Sequence, residues 1–452
     1  MSPPKRSRKD SPPDDSTDDE QAVSKRPRRS DPTSALPIHP FFTGGSTKPA
    51  SRGPVQWTEK STLLIGVVGT QDLSRTSIAG FDFDGTIVTV KGSHVHAKNA
   101  DDWKFFSTSV PERLLKAHED GFRVVIFSNQ KGILEGRSSA KQAFVGRVEN
   151  VVKALETHCR KESKSLFPVL VLAGCGNDWF RKPRLGMWDH VEEEHRAVAP
   201  LDRSRSFYVG DAAGRPAAWM PGHKKDFADT DLKFAINVGI AFHVPEAYFP
   251  HPAPVVLPPV PIVPFPHSTH LENEVHYTPT TLPLIPENRD ANHLDLVILT
   301  GFPASGKSSF ARRFLGEKGY AIVNQDTLKT RPKCIAATKN FLLEGKNVVV
   351  DNTNPTRDVR QLYIEAAPDR LTVTVRSFMF TAPQELCVHN MLFRSFGQPR
   401  PRKHIPSVAF ATFAKNLEVP TTAEGFHEVK SIRFVAEFRS DEEKRMWSLH
   451  YS

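Results

Sequence analysis

The chain has 452 residues, enough for two or three domains and more than one buried core. Hydrophobic residues make up 38% and charged residues 25%, a globular balance, but the 37 Pro exceed the usual ~5% share and point to tails and linkers outside the folded parts. Lys and Arg total 60 against 51 Asp and Glu, a net charge of +9 that favours polyanionic partners. The Cys residues (Cys159, Cys175, Cys334 and Cys387) have neither zinc nor redox spacing, so a reducing compartment is expected. No run reaches the ~18 apolar residues of a membrane span, and the opening Met1-Ser-Pro-Pro-Lys-Arg is no signal peptide. No membrane association is expected.

Residues 1–55 are dominated by Pro, Ser, Asp, Lys and Arg, a composition that cannot offset the entropy of ordering the chain, and read as a disordered basic tail. Its basic clusters, Lys5-Arg6-Ser7-Arg8-Lys9 and Lys25-Arg26-Pro27-Arg28-Arg29, suit a bipartite nuclear import signal, so the expected location is the nucleus. Further on, Ile38 stands three residues before Phe41 and Phe42, a spacing that resembles a sliding-clamp-binding box. Ala35 occupies that box's usual Gln position, and packing of the two Phe against the folded chain is the simpler account.

From 56 to 249, apolar runs alternate with helical stretches. Val124–Phe127, Val169–Leu172 and Phe207–Val209 read as buried parallel strands, and Val110–Asp120 and Ala140–His158 carry helical periodicity. His251 to Pro266 lies within a Pro-rich linker assigned to 250–290. A second α/β pattern occupies 291–452. The fold expected is α/β, two doubly wound domains after a disordered tail.

Ile78-Ala-Gly-Phe-Asp82-Phe-Asp84-Gly-Thr86 is an apolar strand ending in two alternate carboxylates, which can hold Mg2+ at the carboxyl edge of a sheet. The next strands end in Ser128-Asn129, donors suited to phosphoryl oxygens, and in Gly210-Asp211, a further metal carboxylate. Lys182 supplies a cation from the loop Arg181-Lys-Pro183. The set, in this order, resembles the haloacid-dehalogenase-like phosphatases. That resemblance implies Asp82 as nucleophile, Asp84 as general acid then base, and charge balance from Lys182, Ser128 and Mg2+ held by Asp82, Asp84 and Asp211. The acid that often follows Gly-Asp in that superfamily is missing here, and Asp226 is the candidate substitute. Between Asp84 and Ser128 there is no room for a large cap, so an open site is expected.

In the second half, the strand Asp295–Thr300 leads into Gly301-Phe302-Pro303-Ala304-Ser305-Gly306-Lys307-Ser308-Ser309, a full phosphate loop, with a helix expected over Phe310–Phe314. Its N–H groups and Lys307 suit the phosphates of ATP, and Ser308 suits Mg2+. Asp326, beyond the strand Ala321–Gln325, is the candidate base for an attacking hydroxyl or, alternatively, a helix N-cap. Asp351 resembles a Walker-B acid, and Arg394 is a candidate clamp on the phosphates.

These strings, with Gly186-Met-Trp188, Tyr208-Val-Gly-Asp-Ala-Ala-Gly-Arg215, Lys224-Lys-Asp-Phe227 and Asp351-Asn-Thr-Asn-Pro355, together resemble the bifunctional polynucleotide kinase 3′-phosphatase family. The resemblance implies a capless phosphatase domain followed by a P-loop kinase domain. Together they would remove 3′-phosphates and add 5′-phosphates at DNA ends during single- and double-strand break repair, beside other repair proteins. The forkhead-associated domain of animal members is expected to be absent. An enzyme of RNA ends or of small metabolites is the alternative.

Overall fold

The computed structural model describes residues 53–93, 96–134, 138–220, 222–249, 284–285, 293–368, 372–396 and 402–452, with isolated positions 259 and 261. The basic clusters, Ile38, Phe41 and Phe42, and nearly all of the Pro-rich stretch lie outside the described residues.

The first half builds a seven-stranded sheet from β1 (Gln56–Lys60), β2 (Leu63–Val68), β3 (Ile78–Phe81), β6 (Arg123–Asn129), β7 (Val169–Gly174), β8 (Phe207–Val209) and β9 (Ala241–His243), in the order β1-β2-β7-β6-β3-β8-β9. A small ribbon, β4 (Val88–Thr89) with β5 (Lys104–Phe105), fills the space after Asp84. The strands from β7 to β9 run parallel. The inner ones, β7, β6, β3 and β8, are apolar because helices cover both faces, while β9 is a largely exposed edge. Antiparallel β1 and β2 extend the sheet, and the outermost, Gln56-Trp-Thr-Glu-Lys60, is polar as an exposed edge requires.

Alternation along β6 divides the core. Val124 and Ile126 face the helices Val110–Glu119 and Ser138–Lys161, whereas Val125 and Phe127 face Gly186–His195 and Thr230–Val238. The long helix presents Phe144, Val148, Val151, Val152, Leu155 and Cys159 to the sheet, a repeat of three to four residues.

The second half forms a five-stranded, wholly parallel sheet: β10 (Leu294–Thr300), β11 (Ala321–Val323), β12 (Val348–Val350), β13 (Val373–Phe380) and β14 (Glu428–Ile432), ordered β11-β12-β10-β13-β14. After the phosphate loop, the helix begins earlier than its apolar pattern suggested. It runs Lys307–Phe310 and widens into a π-helical turn over Ala311–Leu315.

The linker suggests two separately packed halves. They are not separate: Leu449 and Tyr451, at the end of the chain, are buried in the same core as Phe127, Trp188 and Phe234 of the first half. The core of the first half is thus finished by residues that follow the last strand of the second sheet.

A buried ion pair fixes the end of β12. Arg360 is fully buried, donates to both Glu424 carboxylate oxygens at 2.8 and 2.7 Å, and donates to the carbonyls of Asn354 and Pro355. Removing one member of such a pair strands the other without a counter-charge. Arg360→Ala should therefore destabilise the protein by about 3–5 kcal/mol, read from denaturant unfolding; a loss below about 1 kcal/mol would show that the pair bears little on stability.

Candidate active site

At the carboxyl edge of the first sheet, the Asp82 N–H bonds the Val209 carbonyl at 2.8 Å, pinning the strand end between β3 and β8. Gly85 follows with φ +88, and a Cβ there would overlap the Asp211 carboxylate, so only glycine lets this turn close on its neighbour. Lys182, 2% exposed, sends its ammonium into the resulting pocket. Its Nζ lies 2.6 Å from Asp82 Oδ1, 2.8 Å from Asp231 Oδ1, and 2.7 Å from both the Phe127 carbonyl and the Tyr208 hydroxyl.

Asp82, Asp211 and Asp231 form an acidic cluster whose ligand atoms all lie within 4.8 Å of one another. Burial, with Asp231 and Asp84 nearby, drives the Asp82 carboxyl up to about 7 although Lys182 pulls the other way. Burial first, then Asp82 and Asp231, holds Asp211 well above the usual carboxylate range. Burial pulls the Lys182 ammonium down, but Asp231 and Asp82 outweigh it and leave it above its ordinary value. Three carboxylates to one ammonium leave excess negative charge among hard oxygen donors, a set that fits a small divalent cation.

Asp231 escapes a reading of the sequence. It opens the helix Thr230–Val238 beside Leu232, Phe234 and Ala235, where an acid is ordinarily a helix-dipole partner. Here Asp231 is 2% exposed, and its second oxygen accepts the Ala212 N–H at 3.0 Å. Asp226 proves not to be the missing acid. Its Oδ2 takes hydrogen bonds from the Ala213 and Arg215 N–H groups and from Arg215 Nε, so it braces the Asp211 loop from outside.

Asp84 also stands outside the three-acid cluster. Its carboxylate pairs with Arg147, from the helix Ser138–Lys161, and accepts from Gln130 Nε2 at 2.7 Å. Ser128 lies beside it, with its Oγ 2.9 Å from the same Gln130 nitrogen. The Asn129 side chain is committed to the Lys182 backbone, with Nδ2 to its carbonyl and Oδ1 from its N–H, so it orients the lysine loop and does not present itself to a phosphate.

In the second half, Gly306 has φ +97, the left-handed turn that leads the phosphate loop into its helix. Lys307 folds back on the loop, its Nζ donating to the Gly301 and Phe302 carbonyls at 2.9 and 2.5 Å. Burial pushes that amine down to about 8, with Asp351 opposing the shift. A cavity of about 1090 Å3 opens beside the loop, lined among others by Ser305, Gly306, Ser309, Arg394, Arg402 and Arg433. Burial first, then Arg402 and Arg312, lowers Arg394, while Asp326 acts on it weakly in the opposite sense. Asp326 is exposed and is not the N-cap of its short helix. Asn324 is, accepting the Asp326 N–H at 2.7 Å and donating to Asp351 Oδ2 at 3.0 Å.

The fold and these two sites define a phosphoryl-transfer protein with a carboxylate-and-lysine centre on one sheet and a phosphate loop on another. Residues 77–249 match the model of the polynucleotide kinase 3 phosphatase family. The chain is 35% identical over 381 residues to the bifunctional polynucleotide phosphatase/kinase of Schizosaccharomyces pombe, covering 84% of this chain and 85% of that one. It therefore belongs to the bifunctional polynucleotide phosphatase/kinase family. Two further relatives match part of it. A polynucleotide 3′-phosphatase of Arabidopsis thaliana is 33% identical over 38% of this chain and 24% of its own. The polynucleotide 3′-phosphatase of Saccharomyces cerevisiae is 26% identical over 38% of this chain and 87% of its own.

With no nucleotide present, Mg2+ at ~100 times its dissociation constant should stabilise the protein by ~2.7 kcal/mol. Asp211→Asn should abolish that rise, as read from thermal unfolding with and without the ion; an undiminished rise in the variant would place the cation elsewhere.

Proposed function

We propose that this protein repairs DNA strand breaks by converting 3′-phosphate and 5′-hydroxyl ends into the 3′-hydroxyl and 5′-phosphate that a ligase joins. The observation that carries this reading is the Lys182 ammonium bonded at once to Asp82 and Asp231, on a chain that also holds a complete phosphate loop.

Asp82 attacks the phosphorus of the terminal 3′-phosphate; the bond to the 3′ oxygen breaks, and an aspartyl phosphate forms. Asp84, oriented by Arg147 and Gln130, donates a proton to the departing 3′ oxygen. It then takes a proton from the water that attacks the aspartyl phosphate, releasing inorganic phosphate and restoring Asp82. Lys182 holds positive charge beside the transferring group throughout, and Ser128 offers its hydroxyl to a phosphoryl oxygen. Asp82, Asp211 and Asp231 would hold Mg2+, which supplies Lewis-acid neutralisation of the phosphoryl oxygens when bound.

On the second sheet, Gly301 to Ser309 would cradle the phosphates of ATP, with Ser308 toward its Mg2+ and Arg394 over the phosphates. Asp326 accepts the proton of the 5′-hydroxyl as its oxygen attacks the γ-phosphorus and ADP departs. The net charge of +9 supplies salt-sensitive attraction to a DNA end. The domains follow: 56–249 for 3′-dephosphorylation and 291–452 for 5′-phosphorylation, with nuclear import through Lys5–Lys9 and Lys25–Arg29.

The test is an end-labelled nicked duplex carrying a 3′-phosphate and a 5′-hydroxyl, incubated with Mg2+ and ATP. Asp82→Asn should lower 3′-phosphatase turnover by at least ~10⁴-fold, because an amide cannot form the acyl phosphate, and should leave 5′-phosphorylation within about twofold. Faster removal of 3′-phosphate from DNA than from a matched RNA end is expected; the reverse preference would redirect the reading to RNA.

Asp326→Ala should lower 5′-kinase turnover ~10²–10⁴-fold with nucleotide affinity unchanged. Weakened ATP binding with normal turnover at saturation would contradict its role as base.

Lys307 gives a pH dependence of defined sign. Its amine, held down to about 8 in the free protein, is raised when phosphates arrive, so nucleotide binding takes up a proton and is strongest below that value. Affinity for a non-hydrolysable ATP analogue should weaken about fivefold between about pH 8 and about pH 9. A flat profile would contradict it.

A further inference from the structure

Lys182 is held by the first sheet, but the two residues after it are held by the far end of the chain. The Pro183 carbonyl accepts a hydrogen bond from Asn237 Nδ2 at 2.9 Å. Asn237 is 8% exposed and stands on the helix that carries Asp231. The same amide closes a ring with the backbone of His450: Nδ2 donates to its carbonyl at 2.7 Å, and Oδ1 accepts its N–H at 2.8 Å. Both amide hydrogens and the amide oxygen are thus engaged, and each belongs to the junction of Pro183 with the C-terminal segment.

Aromatic packing repeats the pattern. The Arg184 guanidinium lies 4.1 Å from the Phe396 ring centre, and that ring stacks on Tyr451, with centres 6.4 Å apart and planes 13° from parallel. Tyr451 is 2% exposed and also meets Trp179 of the loop before Lys182. In the other direction, Trp447 Nε1 donates to Asn390 Oδ1 at 2.9 Å, and Asn390 Nδ2 donates to the Ala304 carbonyl of the phosphate loop at 3.3 Å. One short segment, Trp447 to Tyr451, therefore touches the supports of both sites.

We propose that this C-terminal segment, acting through Asn237, is a positioning device for Lys182, so that 3′-dephosphorylation depends on docking of residues from the kinase half. This rests on the reading of Lys182 as the cation beside the transferring phosphoryl group. Asn237 and Tyr451 touch neither substrate nor reacting atoms; they fix the backbone from which the ammonium is projected. A charge whose value lies in its placement loses that value steeply when it shifts, with misplacement by 1 Å worth on the order of 10²-fold in rate.

Asn237→Ala in the full chain should lower the phosphatase kcat by at least about tenfold while KM for the oligonucleotide end stays within about twofold, because stabilisation of the transition state is lost and end binding is not. Tyr451→Ala substitutes a position outside residues 56–249 and should give the same split. Tyr451→Phe keeps the ring and should restore kcat to within about twofold of the native value. The kinase kcat measured on each preparation reports on folding and should hold within about twofold. Unchanged phosphatase kcat in both alanine variants, alongside its loss in Lys182→Met, would overturn the positioning role and leave the reading of Lys182 standing. Retained activity in Lys182→Met would instead overturn that reading. Parallel loss of both activities with a lowered melting temperature would also overturn the proposal, since it marks a segment needed only for stability.

Discussion

One buried ammonium organises the first site. A lysine taken out of water is tolerated only where its charge is met and its hydrogens are used. At Lys182 two carboxylates, a carbonyl and a tyrosine hydroxyl meet that demand. Each partner comes from a different element: Asp82 from the end of β3, Phe127 from β6, Tyr208 from β8 and Asp231 from a helix covering the sheet. The strands must therefore be in register, and the helix seated, before the ammonium is satisfied. The converse also holds, since Asp82, Asp211 and Asp231 could not sit so close without positive charge among them.

The second site solves the same problem differently. Lys307 is also buried, but its hydrogens go to the carbonyls of Gly301 and Phe302 and to the Ser305 hydroxyl, and among the described residues no carboxylate bonds it. Burial then lowers its amine, whereas the carboxylates of the first site raise Lys182. The contrast suits the two tasks. On the proposed reading, a lysine that receives an incoming polyphosphate gains from having no carboxylate bonded to it, and one that steadies a carboxylate nucleophile gains from having it close.

Much of this was legible in the sequence because the chemistry lies at strand ends. Apolar runs locate β3, β6, β8 and β10, and the polar residues that follow or end them are Asp82, Ser128, Asp211 and the phosphate loop. What stayed hidden lies on helices or in side chains with ordinary structural roles. Asp231 looks like a helix-dipole acid, Tyr208 like a strand aromatic and Arg147 like one more cation on a long helix; each takes on its role only when the sheet and its covering helices meet. Asn129 is the reverse case, a polar side chain where a phosphate ligand is expected, turned aside to tie down the Lys182 backbone. The docking of Leu449 and Tyr451 could not be read either, because a Pro-rich stretch signals separation and contacts across more than 200 residues carry no local pattern.

The most direct measurement is a rapid single-turnover chemical quench of the unaltered protein with a DNA end bearing a radiolabelled 3′-phosphate, followed by peptide mapping. Acid-stable, hydroxylamine-labile label should appear on the peptide that contains Asp82 before inorganic phosphate is released. Release of phosphate with no protein-bound label, or label mapped to another residue, would contradict Asp82 as the phosphoryl acceptor.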